Sequence, residues 1–293
     1  MSSTHNRLAL GTVQFGLPYG VTNRAGQVSV VDVKMILHSA RQHGITLLDT
    51  AMAYGDSETV LGNVGTQEFA VVTKLPPIPD QTGNPASWVR GQVEGSLSRL
   101  GRKSLYGLLI HQASQLQGKF GGVLAKELTA LRQEGIVEKI GVSVYGPCEL
   151  EAATLAMNLD LVQAPFNIID RQLHTSGWLD RLYKKDIEVH VRSVFLQGLL
   201  LTRDKGLRIR FKRWQPIFEH WDSWLDRAQV SPIQACLAYA TSFSQISKIV
   251  VGVDSAEQFN ELLAYAEKPA PRDFPDIASQ DSQLINPALW NQL

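Results

Sequence analysis

Cysteine is nearly missing from this chain: only Cys148 and Cys236 occur in 293 residues. Two isolated thiols cannot build a disulfide framework or a thiolate zinc site, and their scarcity suggests a reducing compartment. Net charge is missing too, with 28 Lys plus Arg against 28 Asp plus Glu, which removes the general electrostatic footprint of a nucleic-acid binder. No stretch approaches the ~18 apolar residues of a membrane span, and the opening residues, MSSTHNRLALG, lack the apolar core of a signal peptide. The seven histidines form neither an H-x-H pair nor an H-E-x-x-H spacing, so no metal site is expected. These absences leave the expectation of a soluble, cytoplasmic protein with small-molecule partners, no nucleic acid and no membrane; oligomeric state has no signature.

What is present is rhythm. A content of 44% hydrophobic residues is enough for a sizeable core, and it falls into strand-length apolar runs at 8–13, 45–49, 69–74, 105–111, 139–144, 159–165, 187–194 and 247–253. Between them lie stretches of helical period such as VVDVKMILHSARQHG, SWVRGQVEGSLSRLG and GGVLAKELTALRQEG, several closed by glycine as a stop signal. Near-continuous apolar strands alternating with helices imply a parallel sheet buried on both faces. Eight such units fit a closed α/β barrel, a (β/α)8 TIM barrel, better than an open sheet, although the count by itself also allows a doubly wound fold. The expected organisation is a single domain over 1–293 with a C-terminal tail from about 268.

Ionisable residues close several of the runs. Asp49 ends ITLLD, Lys74 ends FAVVTK and His111 ends LYGLLIH, with Tyr54 five positions past Asp49. Strand ends are where such a barrel displays its chemistry. A phenol, of pKa about 10 when free, is a poor acid at neutral pH until a nearby cation stabilises its phenolate. Taken singly, each residue has an ordinary reading: a helix cap for Asp49, a pocket-wall aromatic for Tyr54, a solvated strand-end cation for Lys74, a hydrogen-bonded structural histidine for His111. Together they form a proton-transfer constellation.

Two segments break the rhythm. Residues 14–29, QFGLPYGVTNRAGQVS, are rich in glycine and turn formers and follow the first strand. Residues 198–224 are long enough to cover a ligand, and within them RDKGLRIRFKR (203–213) carries six Lys or Arg against one Asp. That run is either a solvated basic face or a phosphate site, since phosphate sites in these barrels often follow strands seven and eight.

The sequence resembles the aldo-keto reductase family over most of its length, through LDTAMAYGDSE (48–58), VVTK (71–74), LLIHQ (108–112), LRQEGIVEKIGVS (131–143), VQAPFN (162–167), LQGLL (196–200) and IVVGVDSAEQFNELL (249–263), in family order. The resemblance implies a (β/α)8 barrel and reversible hydride transfer between a nicotinamide cofactor and a carbonyl or hydroxyl carbon. It casts Tyr54 as proton donor, Lys74 as the cation beside it, Asp49 as the partner of Lys74, and His111 as the residue orienting the substrate oxygen.

The resemblance also implies cofactor contacts. Ser143 and Gln163 belong near the nicotinamide carboxamide, although Val144 stands where the family usually has Asn. Arg192 falls where many members stack an aromatic ring on the nicotinamide, and a planar guanidinium can stack as well. Gln197, Gly198, Gly252, Asp254, Ser255 and Gln258 complete the expected cofactor set. Asp254 occupies a position where many members carry Lys or Arg for a 2′-phosphate; it could accept hydrogen bonds from a free ribose, or cap the following helix. Family habit puts NADPH slightly ahead, with NADH open because of Asp254.

The expected substrate is a small aldehyde, aldose or related polar carbonyl, with Tyr19, Asn23, Asn167 and Arg192 as polar rim candidates. Pro287 and Trp290 in the tail could reach over the pocket or pack outside the barrel. Two other functions are weighed: a cofactor-binding regulatory subunit resembling potassium-channel β-subunits, and a barrel lyase using Lys74 as a Schiff-base nucleophile. The second is disfavoured because Asp49 should keep the lysine protonated.

Overall fold

The computed structural model describes residues 4–269 and 273–292. Its eight strands are β1 (Leu8–Gly11), β2 (Leu47–Asp49), β3 (Ala70–Leu75), β4 (Leu105–Ile110), β5 (Val137–Ser143), β6 (Leu161–Pro165), β7 (Glu188–Arg192) and β8 (Lys248–Val251). All pair in parallel and in chain order, and β8 returns to β1 through Leu8↔Ile249, Ala9↔Val250 and Leu10↔Val251. The sheet is therefore a closed barrel, and the open alternative is gone. Each predicted apolar run overlaps one strand.

The runs are longer than most of the strands because burial outlasts pairing. Val144, Val194 and Val253 are buried yet lie beyond the last ladder residues, where the chain has begun to turn. At the other end β5 starts at Val137, earlier than its run suggested, because Glu138 breaks the apolar pattern without breaking the ladder.

Twelve helices follow the strands: α1 (Val30–Gln42), α2 (Ser57–Val64), α3 (Pro85–Leu100), α4 (Gly121–Gln133), α5 (Pro147–Ala156), α6 (Gln172–Thr175), α7 (Trp178–Lys184), α8 (Lys205–Arg208), α9 (Gln215–Ala228), α10 (Pro232–Thr241), α11 (Ala256–Ala266) and α12 (Ser282–Ile285). Ser29, Asn84, Ser231 and Ser255 cap α1, α3, α10 and α11 by accepting a backbone N–H three residues on, each typically worth ~1 kcal/mol. Strand side chains alternate between two environments. Leu8, Leu10, Leu48, Val71, Leu108 and Val162 join the large core beneath the helices, while Ala9, Leu47, Val72, Leu109, Leu161 and Val250 pack together as a separate cluster inside the barrel.

The N-terminal turn seals the β1–β8 seam: the Arg7 guanidinium donates to the carbonyls of Thr241, Phe243 and Ile246 at 2.5–2.8 Å. Beyond β7 the chain packs as a satellite layer, with Trp221 and Trp224 stacked at 5.5 Å and the Trp221 indole donating to Leu200. The tail packs onto this layer. Trp290 is 3% exposed, lies 4.8 Å from the Phe211 ring and donates to Leu284. Among the described residues no helix is long and apolar enough to cross a membrane.

Candidate active site

Asp49, Lys74 and His111 reach the C-terminal mouth of the barrel from three consecutive strands, Asp49 and Lys74 inside β2 and β3 and His111 just past β4. Tyr54 comes from the loop between β2 and α2, fixed by Tyr54 N–H to Ala51 O at 3.0 Å and Ser57 N–H to Tyr54 O at 3.0 Å. That loop presses against the one after β1. A Cβ on Gly16 would lie 1.9 Å from the Tyr54 carbonyl oxygen, and one on Gly55, at φ +52°, would lie 2.5 Å from Gly16 O. Two facing glycines thus let backbone meet backbone and set where the phenol stands.

Lys74 Nζ donates to Asp49 Oδ2 at 2.7 Å and to Thr50 O at 2.8 Å, with the two side chains 1% and 5% exposed. The same ammonium is 5.0 Å from the centre of the Tyr54 ring. Burial works against its charge, but Asp49, by charge and hydrogen bond, and then Tyr54 outweigh it, and the Lys74 pKa is raised. Lys74 is a held, buried cation and not a solvated strand end. The Tyr54 and His111 rings meet edge to face at 5.8 Å. Burial first, then the charges of Lys74 and Arg192, push His111 down to about 4 against the pull of Asp49, so at neutral pH its imidazole is uncharged and able to donate or accept one hydrogen bond on each nitrogen.

These groups open on a cavity of about 1130 Å³ whose wall includes Asp49, Tyr54, His111, Ser143, Gln163 and Arg192. Ser143 and Gln163 stand side by side in the β5–β6 register. The Gln163 amide donates to Asp49 Oδ1 at 2.6 Å, while its Oε1, on a fully buried residue, has no partner among the described residues. An acceptor left bare at a cavity wall calls for a donor from a ligand. The Arg192 guanidinium carbon lies over Tyr145, 4.4 Å from the ring centre, and the guanidinium donates to Val144 O at 3.2 Å.

Gln197, Gly198, Gly252, Asp254 and Gln258 line the same cavity. After β7 the chain turns left-handed at Ser193, Leu196, Gln197 and Gly198, and Gly198 runs so close to the first loop that a Cβ would sit 2.1 Å from Thr22 Oγ1. Gln197 donates to the Tyr19 hydroxyl at 2.9 Å. Two of the expected site residues are absent from the wall. Lys74 lies beneath it, and Ser255 spends its hydroxyl oxygen on the α11 cap, 3.1 Å from Gln258 N–H. The capping role weighed for Asp254 therefore belongs to its neighbour.

Several rim expectations need correction. Asn167 is 1% exposed and lies outside the cavity wall, its amide absorbed by Ser193 O and by the N–H groups of Ile169 and Asp170. Asn23 shapes its own loop through Tyr19 O, Gly26 O and two N–H groups, and reaches Asp254 Oδ1 at 3.2 Å. None of the six basic residues of 203–213 lines the cavity. Arg203 pairs with Asp226, Arg208 with Asp222 and Arg213 with Asp281, and Arg210 donates to Trp290 O. Of the tail, Ala288 is the wall residue, whereas Trp290 packs inward. Sequence reasoning passed over Gln14, Tyr145, Gln112, Glu149 and Glu261, all in the wall; Gln14 and Tyr145 were findable as the polar residues just past runs one and five. Among the described residues no cluster of metal-binding side chains occurs.

The comparisons fit this geometry. The profile of the aldo/keto reductase family matches residues 7–279. Two structures classed as aldo-keto reductases from Pseudomonas aeruginosa superpose with TM-scores of 0.66 and 0.64 at 22% and 21% identity, each alignment covering 89% of both chains. An aldo-keto reductase from Bacillus halodurans in its holo form gives a TM-score of 0.70 at 18% identity, the alignment covering 90% of this chain and 88% of that one. A search of curated protein sequences found no match. At such identities the superpositions speak for the barrel alone, but the profile spans nearly the whole of it, and the chain belongs to the aldo/keto reductase family of carbonyl oxidoreductases.

Proposed function

We propose that the chain works as one barrel unit that reversibly reduces a small, polar carbonyl to its alcohol with a nicotinamide dinucleotide. The observation that carries this is the convergence of Tyr54 and neutral His111 on one cavity wall, with the held Lys74 ammonium directly beneath the phenol ring. When bound, the dinucleotide supplies the hydride. The protein's own task is the proton. Negative charge developing on the substrate oxygen needs a donor within ~3 Å, and Tyr54 fills that role, with Lys74 stabilising the phenolate left behind. Asp49 fixes Lys74 by the 2.7 Å ion pair. His111 hydrogen-bonds the substrate oxygen and orients it toward the phenol, and in the oxidative direction Tyr54 acts as base by microscopic reversibility.

The bare Gln163 Oε1 beside Ser143 suits a carboxamide NH2, and the Arg192 guanidinium, over Tyr145 in the same wall, suits the face of a planar ring. A cavity of about 1130 Å³ exceeds the ~300–1,000 Å³ typical of small-ligand sites, as a dinucleotide plus substrate requires. Polar residues of the same wall, Tyr19, Gln112, Ser114 and Glu149, favour a hydroxylated substrate. The free thiols of Cys148 and Cys236 suit a reducing, cytoplasmic setting. Schiff-base chemistry at Lys74 is opposed by its raised pKa.

The test is turnover of a panel of aldoses, hydroxy-aldehydes and aromatic aldehydes, followed by nicotinamide absorbance, for the wild type and Tyr54→Phe. The reading expects turnover on at least one polar carbonyl and its near-complete loss in the variant. Retention of more than about a tenth of wild-type activity by Tyr54→Phe across several substrates would remove Tyr54 as the proton donor.

A further inference from the structure

The far end of the cavity, where β8 gives way to α11, is acidic. Asp254 and Glu261 both line it; Gln258, Glu261 and Leu262 lie on one face of α11, three and four residues apart. Beside them stands Gln14, 8% exposed, whose Oε1 has no partner among the described residues. Gly252 makes room for it: a Cβ there would come within 2.7 Å of both Gln14 amide atoms. This end thus offers acceptors, two of them charged, to whatever occupies it.

Cations are scarce there. Arg24 lines the cavity but pairs with Asp204, another wall residue, at 3.1 Å. The basic run 203–213, which could have supplied positive charge, contributes no basic residue to the wall, and three of its arginines are held by Asp222, Asp226 and Asp281. Three carboxylates therefore face one guanidinium that is already neutralised. A sugar diol brings two O–H donors to such a surface. A phosphate brings only acceptors and negative charge.

We propose that this end is built for the unphosphorylated adenosine ribose of NADH and excludes the 2′-phosphate of NADPH, with Asp254 accepting from the diol and Gln14 Oε1 and Glu261 as adjoining acceptors. This reverses the preference expected from family habit, and it rests on the reading of the cavity as a dinucleotide site. Asp254 is steadied for the role by Asn23 Nδ2 at 3.2 Å and by its own N–H, which donates to Gln258 Oε1 at 2.9 Å. The first loop and α11 thus hold the carboxylate between them.

The test is equilibrium binding of NADH, NADPH, ADP-ribose and 2′-phospho-ADP-ribose to the full chain, by calorimetry, at low and high salt. The expected result is NADH at least tenfold tighter than NADPH, the same order for the two ADP-riboses, and a ratio that narrows as salt screens the carboxylates. Asp254→Asn and Glu261→Gln should each tighten NADPH severalfold without tightening NADH. NADPH binding as tightly as NADH to the wild type overturns the proposal while leaving the dinucleotide reading intact. Failure of all four compounds to bind overturns both.

Discussion

Among the described residues, a buried charge cluster at the barrel's mouth and a partly buried one at its floor use the same parts differently. At the mouth, Lys74 and Asp49 sit under Tyr54 and His111, and all but the lysine face the cavity. At the floor, Glu188 accepts from the Tyr106 hydroxyl at 2.7 Å, from Lys139 and from His190 Nε2 at 2.7 Å, and none of the four lines the cavity. Burial opposes the Glu188 charge, but His190, Lys139 and Tyr106 outweigh it and bring its pKa down to about 2, a shift comparable in size to that of His111. Perturbed titration therefore does not separate chemistry from architecture here. Access to open volume does, and in this fold it follows strand polarity.

The sharpest way to break this contrast is Tyr54→Phe, expected to lower kcat by about 10²–10⁴-fold while nucleotide affinity, read by calorimetry, stays within about threefold of wild type. Next comes a matched pair. Lys74→Met strands the Asp49 carboxylate in the interior and should cost about 3–5 kcal/mol in urea unfolding, along with turnover. Glu188→Gln at the floor should cost about 1–3 kcal/mol and leave kcat/KM within about twofold. Loss of activity in the floor variant without loss of stability would erase the distinction.

Protonation gives two smaller tests. His111 has a folded pKa of about 4, below its value in an unfolded chain, so the unfolded state binds its proton first. Its contribution to stability is present above pH ~6.5 and is lost as pH falls through about 4. The difference in unfolding free energy between wild type and His111→Gln should narrow across that window, while Glu188, also depressed, should keep its contribution down to its ordinary carboxylate pKa and lose it as pH falls from there through about 2. The smallest effect concerns Asp170, 1% exposed, with an Oδ2 that has no partner among the described residues and a pKa raised to about 6 by burial. A raised carboxyl favours the fold at low pH and loses that advantage as pH rises through 6. Asp170→Asn should therefore gain about 1–2 kcal/mol at pH 7.5 and nothing at pH 4.

Much of this was legible from residue order alone, for reasons that can be located. Strands buried on both faces advertise themselves as apolar runs, so all eight appeared, but Val144, Val194 and Val253 extended them because hydrophobicity records burial and not pairing. Asp49, Tyr54, Lys74 and His111 stood out only as a set, since each has an ordinary reading alone and it was their order at and just past successive apolar runs that joined them. Asn23 and Asn167 misled because an asparagine in a turn serves its own backbone first. The floor cluster was invisible, since Tyr106, Lys139, Glu188 and His190 meet only through the register of four strands. Glu261 needed the helix facing as well as the motif, and the basic run read as a phosphate lure until its aspartate partners were placed beside it.

The β1–β8 seam carries a consequence for how the chain is made. β1 can meet β2 as soon as the first fifty or so residues emerge, but its other edge pairs with Ile249, Val250 and Val251. At about 5–20 residues per second, that edge waits roughly 12–48 seconds behind the ribosome. Arg7, whose three carbonyl partners lie between Thr241 and Ile246, waits with it. For that interval an unpaired strand edge, Leu8–Gly11, is the nascent protein's exposure to misassociation, and its four-residue length keeps that exposure small.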